Sequence, residues 1–202
     1  MSIKPTATGA PTIIFVTEGG RNVPRDTIRG RTVLADVRTQ RLPMVSWTAE
    51  LIEAVLHDSS PLETIVGATL APGFPNHPVR NLVLPTTLAR VRCHPGYGWW
   101  NGMIVHTGDR VVIGSMGFKA PPDDDGAVEI GYDIVPNYQG QGYATEMGRA
   151  FVHGAWQQPS VRPITAECLS DNLASIRVME KLGMQRAAEQ EHMLDWAWTI
   201  PE

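Results

Sequence analysis

Residues 139–145 read QGQGYAT, with Gly140 and Gly142 one residue apart. Before them runs AVEIGYDIV, 127–135, which has strand character. After them Ala144, Met147, Phe151 and Ala155 recur at helical spacing and predict a helix over Tyr143–Trp156. A loop entering a helix leaves the first N–H groups without partners, and the helix dipole adds positive potential there. Glycines let a phosphate approach such a backbone closely, so the stretch predicts an anion site. A plain turn uses the same residues, and the flanks must decide. A dinucleotide loop needs a third glycine where Thr145 stands, and a P-loop needs a lysine that is missing. NAD and ATP are therefore disfavoured.

Working outward, Gly98–His106, Arg110–Lys119 and Ala127–Val135 read as three strands. The short links TGD and PPDDDG imply an antiparallel meander. The acidic run Asp123–Asp125 is expected to be a solvated hairpin tip, because a metal cage needs ligands from more than one side. Upstream, RTVLADVRTQRLPMV, 31–45, predicts a first strand, and Leu51, Ile52, Val55 and Leu56 place a helix over Trp47–His57. In SPLE, Ser60 as cap, Pro61 at the first helical position and Glu63 closing a capping box predict a second helix to about Leu70. APGFPNHP, 71–78, is a breaker-rich loop that serves as a lid or a long connection, and Pro85–Arg92 adds a helical turn or two. Downstream come a buried strand at Pro163–Leu169, a helix over Asn172–Leu182 ended by Gly183, and a last strand at His192–Trp198. Residues 31–202 read as a single domain. Residues 1–30, with a strand signal at 12–17, read as a partly ordered extension that serves as a partner-binding arm, caps the sheet or mediates a dimer.

The chain has 202 residues, of which 43% are hydrophobic, enough for a sizeable core. A net charge of −4 without Lys/Arg clusters argues against nucleic acid, and no apolar run approaches a membrane span. One basic residue before a short apolar patch does not make a secretory signal, and two distant cysteines, Cys93 and Cys168, lack metal spacing. The expectation is a reduced, cytoplasmic monomer or homodimer, with both cysteines as buried small hydrophobes.

QGQGYA fits the Q/R-x-x-G-x-G/A motif of the GNAT N-acetyltransferases. EIGYDIVPNYQGQGYATE, 129–146, resembles the central strand, loop and helix start of the RimJ/RimL-like branch, and AECLSDNLASIRVMEKLGM, 166–184, resembles the strand and helix that follow. VIGSMGFKAPPDDDG resembles the hairpin before them, so the likeness covers about 95–185. It implies an α/β (α+β) fold: a mixed, mostly antiparallel sheet, flanked by helices and splayed between Ala127–Val135 and Pro163–Leu169. It implies acetyl-CoA as acetyl donor and no metal. The pantetheine arm would lie in the splay along the backbone of Ile134 and Val135. The pyrophosphate would rest on the N–H groups of Gln141, Gly142, Ala144 and Thr145, with Gly140 giving access. Gln139 matches the motif's first position. Asn172 matches the asparagine that bonds the arm, and it also suits an N-cap.

Acetyl transfer needs a neutral amine, N–H donors for the carbonyl oxygen and a proton for the thiolate. Glu129 stands where relatives often carry a catalytic or water-linked glutamate, and it also reads as a surface carboxylate paired with an arginine. Asp133, on the same strand, is the alternative. Many relatives place a tyrosine where this chain has Met179. Ser175 matches the serine used near the thiol, to orient sulfur or water, and also reads as a surface hydroxyl. For the acceptor, Trp99, Trp100 and His106 are candidates, as is the face bearing His192, Leu194, Trp196 and Trp198, although a Trp stripe is more often core. His153 reads as surface. The acceptor is a protein N-terminal α-amine or a small amine. The competing reading is a CoA-binding module without catalysis, a sensor or assembly partner, for which Glu129 and Ser175 are dispensable.

Overall fold

A computed structural model describes residues 27–28, 31–32 and 37–198. The expected strand at 12–17 and nearly all of 1–30 lie outside these residues. Two short strands, β1 (Thr27–Ile28) and β2 (Arg31–Thr32), pair antiparallel. The first predicted strand is a hairpin instead: β3 (Val37–Arg38) pairs with β4 (Pro43–Ser46), and Thr39 closes the turn by bonding Leu42. Thr48 caps α1 (Ala49–His57), which buries Leu51, Ile52, Ala54 and Val55. α2 (Ser60–Val66) follows, but the expected capping box does not form. Ser60 lies inside the helix and donates through N–H and Oγ to Asp58, and Gly67 in the left-handed region stops the helix early. Thr69–Leu70 is β5, a parallel partner of a later strand.

A π-turn at Val79–Val83 leads into α3 (Leu84–Cys93), and a 3-10 turn at Pro95–Trp100 replaces the start of the next predicted strand. The meander then follows as β6 (Asn101–His106), β7 (Val111–Phe118) and β8 (Val128–Ile134). Its second link is tied by Asp123, which accepts the N–H groups of Asp125 and Ala127. After a 3-10 turn, α4 (Tyr143–Trp156) has the bounds its periodicity predicts. β9 (Ile164–Leu169), α5 (Leu173–Leu182), β10 (Gln185–Gln190) and β11 (Met193–Trp198) complete the chain.

The sheet has nine strands in the order β10-β11-β9-β8-β7-β6-β4-β3, with β5 added beside β7. Every neighbour along that path is antiparallel except β8 and β9. Those two are parallel and pair only at Val128–Ile164 and Glu129–Thr165. Beyond Glu129 they part, so the sheet opens where the family resemblance places its splay. The core fills both faces, from Trp47, Ile52 and Leu84 to Phe118, Phe151 and Ile164, all almost fully buried. Trp196 and Leu194 belong to it, and Trp198 packs edge-on against Trp156, so this stripe holds the fold. Cys168 is buried as expected, whereas Cys93 is exposed at the end of α3.

Candidate active site

The glycine loop has the form its sequence dictates. Gly140 and Gly142 sit at φ 75° and 83°, a region that L side chains avoid. Gly142 is the N-cap of α4, with no side-chain cap, and the first intrahelical bond runs from Glu146 N–H to Gly142 O. The amides of Tyr143, Ala144 and Thr145 therefore precede the helix ladder and point out of its positive end. Nothing lies within 4 Å of where a Gly140 side chain would begin. The Gln139 side-chain amide donates to Ile134 O at 2.7 Å, and that of Gln141 donates to Asn137 O.

Arg41, from the β3–β4 turn, was not legible as a site residue. It lies over the Tyr143 ring at 4.4 Å, donates to Gln141 O, and pairs with Glu146 at 2.6 Å. Thr39 Oγ1 also donates to Glu146. Burial works to raise the Glu146 pKa, and the hydrogen bonds from Thr39 and Arg41 with the Arg41 charge outweigh it, so the carboxyl lies below its ordinary range. His106 faces the same loop. It is 3.0 Å from the Tyr143 hydroxyl, which in turn donates to Gln141, and it pairs with Asp109 through its other nitrogen. This places His106 at the loop rather than with an acceptor.

The splay holds the next group. Lys119 N–H donates to Glu129 O and Val135 N–H to Ile113 O, so odd-numbered residues of β8 turn their peptide groups to β7. Ile130, Tyr132 and Ile134 turn theirs toward the opening. Both backbone groups of Val135 are taken, its oxygen by Tyr138 N–H, and Ile134 O is taken by Gln139. Asn172 caps α5 by accepting Ser175 N–H, and both residues stand at the mouth of the opening. The Tyr132 hydroxyl lies beside the Ser175 hydroxyl and Cys168, shielded from solvent. Burial raises its pKa against the smaller effect of Ser175, so the phenol keeps its proton.

On the other face of β8 are Glu129, Gly131 and Asp133. Glu129 lies where β8 and β9 still pair, and its charge is committed to Lys119, which also reaches Glu167 at 3.3 Å. Asp133 lies four residues on, beside the opening. It accepts the N–H and hydroxyl of Ser115 and faces Asn76 Nδ2 at 3.4 Å. Burial pushes its pKa up, against the lowering effect of the Ser115 hydrogen bonds. Asp133 opens into a cavity of about 540 Å³ whose walls include Trp47, Val79, Met116 and Phe118. Asn76 comes from the 71–78 loop and was missed, although its Oδ1 bond to Val79 N–H makes it the cap of the turn that follows. Trp100 packs on Phe118, and His153 is exposed on α4.

The acetyltransferase (GNAT) domain model matches residues 76–185, more than half of the chain. The uncharacterized N-acetyltransferase YjdG of Bacillus subtilis is 32% identical over 102 residues, 49% of this chain and 60% of YjdG, so the match spans less than two thirds of that relative. Among solved structures, the ribosomal-protein-S5-alanine acetyltransferase of Vibrio fischeri has a TM-score of 0.59 at 12% identity, covering 81% of this chain and 95% of its own. The microcin C7 self-immunity acetyltransferase MccE, solved with acetyl-CoA and AMP, has a TM-score of 0.56 at 14% identity, covering 80% of this chain and 94% of its own. At these identities the two structures speak for the fold alone. With its splayed sheet and its glycine loop opening α4, the chain belongs to the GNAT acetyltransferase family.

Proposed function

We propose that this chain is an acetyl-CoA-dependent N-acetyltransferase acting on a primary amine. The observation that carries the proposal is the strand β8, which has an uncapped glycine loop beyond its end, an open splay on one edge and, on one face, a cavity into which Asp133 opens. The structural neighbour solved with acetyl-CoA supports the choice of donor. Gly140, Gln141, Gly142, Ala144 and Thr145 would hold the diphosphate, with Arg41 beside them. The Asn172 side chain, the Ile130 C=O, the peptide groups of Tyr132 and the Ile134 N–H would hold the arm; Val135 has no backbone group left to offer. Acetyl-CoA, when bound, supplies a thioester whose carbonyl carbon can accept an amine.

The chain's own residues then have three tasks. An α-amine with a pKa near 8 must lose a proton before it reacts. Two carboxylates share the acceptor face of β8, and Asp133 suits this task because it faces the cavity with its charge opposed only by hydrogen bonds. Glu129, already paired with Lys119, would act through that pair or through water. Splay-facing N–H groups of β8 would receive the carbonyl oxygen. Ser175 and Tyr132 offer hydroxyls on the side where sulfur would leave. A buried carboxylate in a cavity is not needed by a CoA sensor, which favours the enzyme over the binding module.

Acetyl-CoA is expected to raise the melting temperature, and Gly142→Glu to abolish the rise. No shift at saturating acetyl-CoA would sink both readings. CoA release measured across a panel of amines separates them, since no release above background with any acceptor leaves only a binding module.

A further inference from the structure

The cavity above β7 and β8 has a patterned floor. Ser115 and Gly117 of β7, with Lys119 just past its end, share the face that bears Glu129, Gly131 and Asp133 of β8, since Ser115 bonds Asp133 and Lys119 pairs Glu129. The two glycines behave differently. The place of a Gly117 side chain is filled by Asn101, whereas Gly131 has nothing within 4 Å of its missing side chain. Gly131 therefore leaves a hole in the floor between Asp133 and Lys119.

Polar groups stand at three levels along that floor. Asp133 is at one end. Asn101, opposite Gly117 in the register, is only 9% exposed, lines the cavity, and its Oδ1 has no hydrogen-bond partner among the described residues. A buried acceptor without a donor costs free energy, and a ligand N–H would relieve it. Arg90 is at the far end. Its guanidinium is held by the neutral oxygens of Tyr97 and Lys119 O, while the Lys119 charge is met by Glu129 and Glu167. Among the described residues Arg90 has no carboxylate partner. Ser115 and Lys119 are four residues apart, about 13 Å along a strand. Subtracting a hydrogen bond of about 3 Å at each end leaves about 7 Å, the length of two extended residues.

We propose, building on the N-acetyltransferase reading, that the acceptor is a free dipeptide or a molecule of that pattern: a primary amine at Asp133, an N–H at Asn101, a carboxylate at Arg90 and apolar side chains against Trp47, Val79 and Met116. Gly131 makes the room. A polyamine would put a second cation against Arg90, and a long polypeptide N-terminus would bring no α-carboxylate there.

The test uses the whole chain with leucyl-leucine, its C-terminal amide, spermidine and a leucine-initiated decapeptide. Leucyl-leucine is expected to exceed its amide in kcat/KM by about tenfold or more, the value of one charge-assisted contact. Arg90→Met should bring it down to the level of the amide. Gly131→Val, which fills the hole in a strand position open to any residue, should lower turnover of both by tenfold or more while the acetyl-CoA melting shift persists. Calorimetric binding of leucyl-leucine to the protein without acetyl-CoA should be lost in both variants. Equal use of acid and amide, a preference for spermidine or the decapeptide, or full activity in Gly131→Val overturns the proposal. Acetyl-CoA binding with no dipeptide turnover also overturns it and leaves the donor site standing. A missing acetyl-CoA shift instead strikes the N-acetyltransferase reading itself.

Discussion

Asp133 shows how one residue's neighbours decide its chemistry. By alternation it shares a face with Glu129, and nothing in the strand sequence separates them. What separates them comes from elsewhere: Lys119 neutralises Glu129, while Ser115 and Asn76 orient Asp133 without supplying charge. Burial raises the Asp133 pKa above 3.8, so the folded state holds its proton more tightly than the unfolded chain does. The stabilising difference is full below 3.8 and is lost as pH rises through the folded value. Urea titrations should show this loss in the wild type and not in Asp133→Asn. For a base the ionised form is the active one, so kcat/KM should fall on the acid side with a midpoint above 3.8. Asp133→Asn should reduce kcat by on the order of 10²-fold or more. A larger loss in Glu129→Gln than in Asp133→Asn would return the role to Glu129.

At the scale of the element, α4 was the most legible part of the chain, because its apolar spacing and its glycine start are both local. The helix gives up a side-chain cap at Gly142, which keeps its first amides open to a ligand. Gly142→Ala puts a Cβ at φ 83° and should cost about 1 kcal/mol, with acetyl-CoA affinity falling in parallel in calorimetry. The compensating anchor is Glu146, one turn in, which ties α4 to Thr39 and Arg41. Its folded pKa lies below the ordinary 4.5, so this tie contributes above 4.5 and is lost as pH falls through the folded value. Glu146→Gln should lower Tm by about 2–4 °C at neutral pH, for about 1 kcal/mol from a partly exposed pair. The gap from wild type should narrow as pH falls below 4.5. A gap that stays constant with pH would mean that the carboxylate's charge is not what holds the turn. Less local elements were harder to see. β10 carries Gln185, Arg186, Glu189 and Gln190, an edge strand without apolar alternation, and so gives no periodic signal. The 31–45 run looked continuous because its apolar residues span a turn that only the Thr39–Leu42 bonds reveal.

At the scale of the whole molecule, two antiparallel half-sheets meet at a parallel seam of two residue pairs. The meander and its links were readable, since short connections force antiparallel neighbours. The parallel seam followed from the strand–helix–strand order of β8, α4 and β9, which needs a crossover. The depth of the opening was not readable, because it depends on where pairing stops, and the buried place of the Tyr132 hydroxyl beside Ser175 depends on it in turn. A seam this short leaves the Ile130 C=O, both peptide groups of Tyr132 and the Ile134 N–H without a strand partner on that side. If the donor's arm bonds there like an added strand, it joins the halves as well as filling the gap. Acetyl-CoA should then slow amide hydrogen exchange along β8 and β9 by about tenfold or more at saturation, as expected when bound ligand opposes local opening. The slowing should be absent in Gly142→Glu, which removes the phosphate anchor but leaves the seam intact. Protection confined to the glycine loop, with β8 and β9 unchanged, would show that the donor is held by its phosphates alone and that the splay serves the core rather than the ligand.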